Sequence, residues 1–237
     1  MHHKDTYKSH WHLNEGDFFN GLPETTKTAF FARATRREIA RKQFLFFEEA
    51  PGTTCFYLES GAVRIFRFTS MGKEPIMFIR KAGEMFGLAE IIDTQNRKCN
   101  AQAMNKSVVY VINKKNFEQL LSEHPAFARR VIATMGRRIR YLGEQVENLM
   151  EGNVSTRLMK VLTYLSFEVI RKTAKNNAPV DVPYIFSQAE FASMIGSCQQ
   201  TISETLKQFQ SQGLIKIHNR KILLLNPHKL VELLYGE

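Results

Sequence analysis

Cysteine is scarce in this 237-residue chain: Cys55, Cys99 and Cys198 lie far apart, and none forms a C-x-x-C pair. That spacing argues against a disulfide framework, a zinc finger or an iron–sulfur cluster held by this chain alone, and it points to a reducing cytoplasm. Long apolar runs are missing too. None approaches the roughly 18 residues that cross a bilayer. The polar start, MHHKDTYKSHWH, lacks the apolar middle of a signal peptide, so no membrane partner is expected. Between Phe44 and Ile112 there is no histidine at all. This removes the clustered H-x-H and carboxylate set that a metal-dependent enzyme on a β-barrel scaffold needs. No Gly-rich phosphate loop, serine–histidine–acid set or paired-acid motif stands out either. No catalytic or metal site is expected.

Basic charge, by contrast, is plentiful. The formal net charge is +10, which suits a nucleic-acid partner. Its distribution weakens that inference. From Pro179 onward there are five Lys/Arg and five acids, whereas Arg129, Arg130, Arg137, Arg138 and Arg140 crowd one helical stretch upstream. A DNA-binding claim therefore has to rest on a motif.

The motif lies between Ser187 and Gly213. Ser187 followed by Glu190 is a capping box, the reciprocal device that satisfies free amides at a helix start. Phe191, Met194 and Ile195 supply a buried face before the small-residue turn Gly196-Ser197-Cys198. A second helix begins near Gln199, buries Ile202, Leu206 and Phe209 at helical spacing, and stops at Gly213. Its outward face carries Gln199, Gln200, Ser203, Glu204 and Lys207, which together with Ser187 are the expected DNA contacts if the pair is a helix-turn-helix. Taken alone, the pattern fits an ordinary helical hairpin as well as a helix-turn-helix. Two strand-like runs, 214–217 and 222–225, enclose His218-Asn219-Arg220-Lys221 and favour a winged helix. Arg220 and Lys221 then become phosphate contacts for double-stranded DNA.

The rest of the chain supports an α+β assembly. Residues 22–40 read as helical, and short strands separated by turns follow at 44–47, 55–58, 63–68, 76–79 and 107–112, the spacing of a small all-β sandwich or barrel. From Ala126 to about Met150 a polar helix carries Val131, Met135, Ile139, Leu142, Val146 and Leu149 in steps of four, four, three, four and three. Such a seam wants a partner, and self-pairing in a homodimer is the expected use; cover for the β-domain is the alternative. The expected domains are 1–124 (N-terminal arm and effector-sensing β-domain), 125–150 (dimerisation helix) and 151–237 (winged helix-turn-helix).

This order of parts resembles the cyclic-AMP receptor/FNR (Crp/Fnr) family of bacterial transcription regulators over about Phe44 to Leu225. The resemblance rests on S-x-x-E…G-S-C-Q-Q-T-I-S (187–203), G-E-M-F-G-L-A-E (83–90) and R-R-I-R-Y-L-G-E-Q-V-E-N-L (137–149). It implies a β-roll whose small-molecule effector repositions the DNA-binding domains through the long helices. RNA polymerase is a further partner if the protein activates.

Departures from the family pattern bear on the effector. In members that bind cyclic nucleotides, F-G-E supplies a glutamate for the ribose hydroxyl, and R-S holds the phosphate. Here Phe86-Gly87 is followed by Leu88, and Lys98 stands after Arg97 where the serine belongs. Leucine accepts no hydrogen bond, which argues against cyclic AMP. Arg97 and Lys98 remain candidates for another anion. The iron–sulfur branch is excluded because no cysteine precedes Cys55. Haem stays open through His2, His3, His10 and His12, as does redox sensing by Cys55 and Cys99. In the reading helix Gln200 replaces the family's base-contacting glutamate, and Glu204 replaces its arginine. Glutamine pairs with adenine and glutamate accepts from cytosine, so an altered half-site is implied. Pairing of Glu204 with Lys207 or Gln208 is the alternative. A cyclic-nucleotide module without DNA binding is disfavoured by Leu88 and by the winged helix.

Overall fold

The run Cys55-Phe56-Tyr57-Leu58 is apolar at every position because the fold buries both of its faces. A computed structural model describes residues 16–70, 72–173 and 178–235, and there the run forms most of β3 (Thr54–Ser60). Successive side chains on a strand point to opposite sides. Phe56 and Leu58 enter one core, Cys55 and Tyr57 another.

The first core fills the space between two antiparallel four-stranded sheets. One sheet orders β1 (Thr35–Ile39), β8 (Ser107–Asn113), β3 and β6 (Met85–Phe86). The other orders β2 (Phe44–Phe46), β7 (Asn100–Ala103), β4 (Ala62–Phe66) and β5 (Ile76–Lys81). Val63, Ile65, Phe86 and Val109 meet there with Ala101 and Ala103. The second core lies under α1 (Glu24–Arg33), α2 (Leu88–Asp93), α3 (Lys114–Glu123) and the start of α4 (Pro125–Glu151), through Phe30, Leu88, Ile91, Phe117 and Phe127. Pro125 opens α4, where a missing N–H costs nothing.

The five expected strands are present with shifted ends. Residues 35–39, expected to be helical, instead pair with β8 from Thr35↔Val111 to Ile39↔Ser107. Only Ile39 of this strand is buried. Inter-strand hydrogen bonding therefore overrides the helical preference of Arg36, Arg37 and Glu38.

After α4 come α5 (Val154–Thr173), β9 (Val180–Asp181), α6 (Gln188–Ile195), α7 (Gln199–Ser211), β10 (Ile215–His218), β11 (Lys221–Leu224) and α8 (Pro227–Tyr235). β9 completes a three-stranded wing sheet ordered β10-β11-β9. The chain divides into two compact units between Arg137 and Arg138, inside α4. The fold is α+β, as expected. Among the described residues no helix is long and apolar enough to cross a membrane.

Candidate nucleic-acid interface and roll interior

The capping box forms in full. The Ser187 amide donates to Glu190 Oε2 at 2.7 Å, and the Glu190 amide donates to Ser187 Oγ at 3.1 Å. The Ser187 hydroxyl also donates to that carboxylate, at 2.9 Å. Through these bonds Ser187 builds the start of α6. Gly196 closes α6 at φ 65° and ψ 50°, a left-handed conformation that glycine adopts without Cβ strain. α7 then packs on α6, burying Ile202, Leu206 and Phe209.

Gln199, Gln200, Glu204 and Lys207 are exposed on α7, and Ser203 is half-buried. Glu204 Oε1 accepts from Gln200 Nε2 at 3.1 Å, so the acid's observed pairing runs back along the helix. Gln188 Nε2 donates to Ser203 Oγ at 3.4 Å and joins the start of α6 to the outward face of α7. The sequence reading missed Gln188. Its one signal was its place next to Ser187 at the helix start.

In the wing, pairing of His218 with Lys221 leaves Asn219 and Arg220 as a two-residue loop. Both have positive φ, 48° and 65°, the requirement of a type I′ hairpin turn. Asparagine suits that conformation; arginine there costs about 1 kcal/mol. The exposed Arg220 borders a cleft of about 280 Å³ lined by Gln188, Gln199, Leu206, Ile217 and Ile222. Lys221 is exposed beside it.

Along α4 the apolar register is cleaner than expected. Ile132, Ile139, Leu142, Val146 and Leu149 are 70%, 69%, 44%, 56% and 60% exposed. Val131 is 3% exposed and belongs to the core beneath the roll. Its assignment to the seam is corrected to Ile132. With that change the steps run three, four, three, four, three through Ile132, Met135, Ile139, Leu142, Val146 and Leu149. The irregular first step had marked the error.

Inside the roll, Arg97 is fully buried. Its Nη1 donates to Glu90 Oε2 at 2.9 Å and to the Gly87 carbonyl at 3.1 Å, and its Nη2 donates to the Thr54 carbonyl. The guanidinium also lies 4.3 Å from the Phe46 ring centre. A Cβ on Gly87 would come within 3.0 Å of Nη1, so glycine is what lets the arginine approach. Lys98 points elsewhere: it is exposed and faces Glu49 at 3.9 Å. Arg97 and Lys98 therefore do not form the joint anion site expected of them. Phe86 and Leu88 are both buried.

The thiols separate by environment. Burial pushes Cys55 far up and Cys99 up to about 11, so both are held as thiols, which weakens their reading as redox sensors. Exposed Cys198 is held below the ordinary thiol value, chiefly by its hydrogen bond with Thr201. His2, His3, His10 and His12 lie outside the described residues.

Comparison with known proteins matches both halves of the chain. Residues 36–124 match the cyclic nucleotide-binding domain, and residues 156–233 match the Crp-like helix-turn-helix domain. The CRP-like cAMP-activated global transcriptional regulator of Mycobacterium tuberculosis is 22% identical over 92% of this chain and 96% of that protein. The cAMP-activated global transcriptional regulator CRP of Escherichia coli is 25% identical over 86% of this chain and 97% of its own length. Among solved structures, the c-di-GMP responsive regulator CLP of Xanthomonas campestris superposes with a TM-score of 0.72 at 20% identity, covering 86% of this chain and all of that one. This chain belongs to the Crp/Fnr family.

As a Crp/Fnr protein it is a DNA-binding transcription regulator, and the family is one of regulators rather than enzymes. A Crp/Fnr roll alone does not name its effector, since one of these relatives is cAMP-activated and another c-di-GMP responsive. In this member the glutamate position of the family pattern is Leu88. The carboxylate that reaches Arg97 comes from Glu90, two residues later. Glu90 closes the G-E-M-F-G-L-A-E segment, but nothing in its spacing marks it as the partner of Arg97.

Proposed function

We propose that two copies of the chain pair along α4 and read a near-palindromic DNA site, with half-sites about one helical turn apart. The observation that carries this reading is the exposed register of α4. Ile132, Ile139 and Val146 put a β-branched residue at each a position, and exposed Leu142 and Leu149 occupy d together with Met135, which is half-buried against the core beneath the roll. That combination favours two parallel strands, and an apolar stripe of this length is costly to leave in water. Gln199, Gln200, Ser203, Glu204 and Lys207 then face the bases, while Arg220 and Lys221 hold phosphates.

The roll serves as the sensing domain for a small molecule other than cyclic AMP. The supporting fact is that both Nη groups of Arg97 are already engaged by Glu90, Gly87 and Thr54, which leaves only its buried Nε without a partner. A cyclic phosphate has to displace an internal carboxylate to reach them. RNA polymerase is the protein partner where the bound dimer activates.

Selection from random duplex DNA at near-physiological salt, with no ligand added, tests the dimeric reader. Light scattering of the same sample supplies the mass. Enrichment of an inverted repeat by a dimer supports the reading. Enrichment of single half-sites by a monomer overturns it.

A further inference from the structure

One side chain joins the end of α4 to the turn between α6 and α7. Arg157, near the start of α5, donates from Nη1 to the Gly152 carbonyl at 2.6 Å and from Nε to the Ile195 carbonyl at 2.9 Å. Gly152 follows the last residue of α4, and Ile195 is the last residue of α6. Carbonyls at such ends lack a helical partner and carry the negative pole of the helix dipole. A guanidinium suits two of them at once, because its donors project from one rigid plane.

Neighbouring contacts reinforce the joint. Leu149 Cδ2 lies 3.7 Å from the point where a Cβ on Gly196 would sit, so the last turn of α4 touches the turn of the helix-turn-helix. Asn153 caps α5 by accepting from the Thr156 amide at 2.8 Å. Lys160 reaches Asn148 and lies 3.8 Å from Glu144, while the rings of Tyr141 and Tyr164 sit 5.0 Å apart, holding α5 along α4. The domain's own core, built on buried Leu158, Leu162, Ile202 and Phe209, does not include Arg157.

We infer that Arg157 is a positioning residue for DNA recognition. It fixes the direction in which the helix-turn-helix leaves the end of the dimer helix, and with it the separation of the two recognition helices. The inference rests on the homodimer reading given above. Adding one base pair between half-sites displaces one of them by about 3.4 Å and rotates it about the DNA axis. A rigid joint penalises that change, and a loose one tolerates it.

The test compares wild type, Arg157→Gln and Arg157→Lys on the selected inverted repeat, with spacers altered by one and two base pairs. Binding is read by fluorescence anisotropy, and light scattering and thermal melting report dimer and fold. Wild type should lose about 30-fold in affinity for a one-base-pair change, and Arg157→Gln only about fivefold, with non-specific affinity unchanged. Arg157→Lys, which keeps the charge but not the two-pronged geometry, should fall between them. If the variants are folded, dimeric and as spacing-selective as wild type, the positioning role is overturned while the homodimer stands. A monomeric or spacing-indifferent wild type overturns the homodimer reading and this inference with it. If both variants fail to fold, Arg157 is holding the domain together rather than aiming it, and the inference is wrong.

Discussion

Glu90 Oε2 lies 2.9 Å from Nη1 of Arg97, whose side chain is wholly buried in the roll. Removing one partner of such a pair strands the other charge, at a cost of about 3–5 kcal/mol. Cyclic AMP at about 1 mM should therefore leave the wild-type melting temperature unchanged, because displacing Glu90 lowers affinity by roughly 10²–10⁴-fold. Glu90→Gln should melt several degrees lower. Differential scanning fluorimetry checks both outcomes, and a wild-type shift with cyclic AMP would sink the argument.

The wing carries backbone strain at its tip. Arg220 holds φ at 65° in a turn position that glycine fits best. Arg220→Gly should relieve about 1 kcal/mol and raise the melting temperature by a few degrees. The same change should weaken binding to every DNA sequence and reduce the salt-dependence slope by about 0.9. Melting curves and a salt titration of DNA affinity separate the two effects. A variant that gains stability and keeps its salt slope places Arg220 off the backbone.

Neighbouring residues on α4 should fail in different ways. Leu142→Asp with Val146→Asp should give a folded monomer by sedimentation, since both side chains lie on the exposed register. Val131→Asp, one residue from Ile132, should instead lower the stability of the roll by several kcal/mol, because it buries a charge in the core. A stable Val131→Asp protein with a broken dimer would return Val131 to the seam.

Cys198 should be the first thiol alkylated. Its environment favours thiolate at lower pH than usual, whereas burial holds Cys99 near 11 and Cys55 higher still. Iodoacetamide at about pH 7.5 should label Cys198 while the others wait for unfolding. The adduct, on the residue that caps α7, should weaken DNA binding. A time course of peptide masses decides it; equal rates for Cys99 refute the ordering.

Local codes were legible and long-range ones were not. The Ser187–Glu190 cap, the apolar triplet Ile202-Leu206-Phe209 and the basic wing tip each lie within one element or turn, so their spacing declares them. Val131 and Ile132 are adjacent apolar residues on a helix that leaves a core just as its exposed register begins; only burial separates them. The strand at 35–39 carries good helix formers and gains its state from pairing with β8. β7 reads N-A-Q-A and counts as a strand only because Ala101 and Ala103 fit between two sheets. Arg157 meets Ile195 across 38 positions of chain, a distance over which no periodicity speaks.

Glu204, exposed and bonded to Gln200 on the face proposed to meet the bases, would then have an effect that reaches beyond the target site. Loose attachment to arbitrary DNA is almost wholly a matter of cation against phosphate, and here an acid stands among the residues that approach the duplex. On that proposed docking, such a regulator should make short, light visits along the chromosome and leave most sequence unoccupied. Its residence at the right promoter comes from base-edge hydrogen bonds instead. A small cellular pool of molecules then suffices, because few are held back as background.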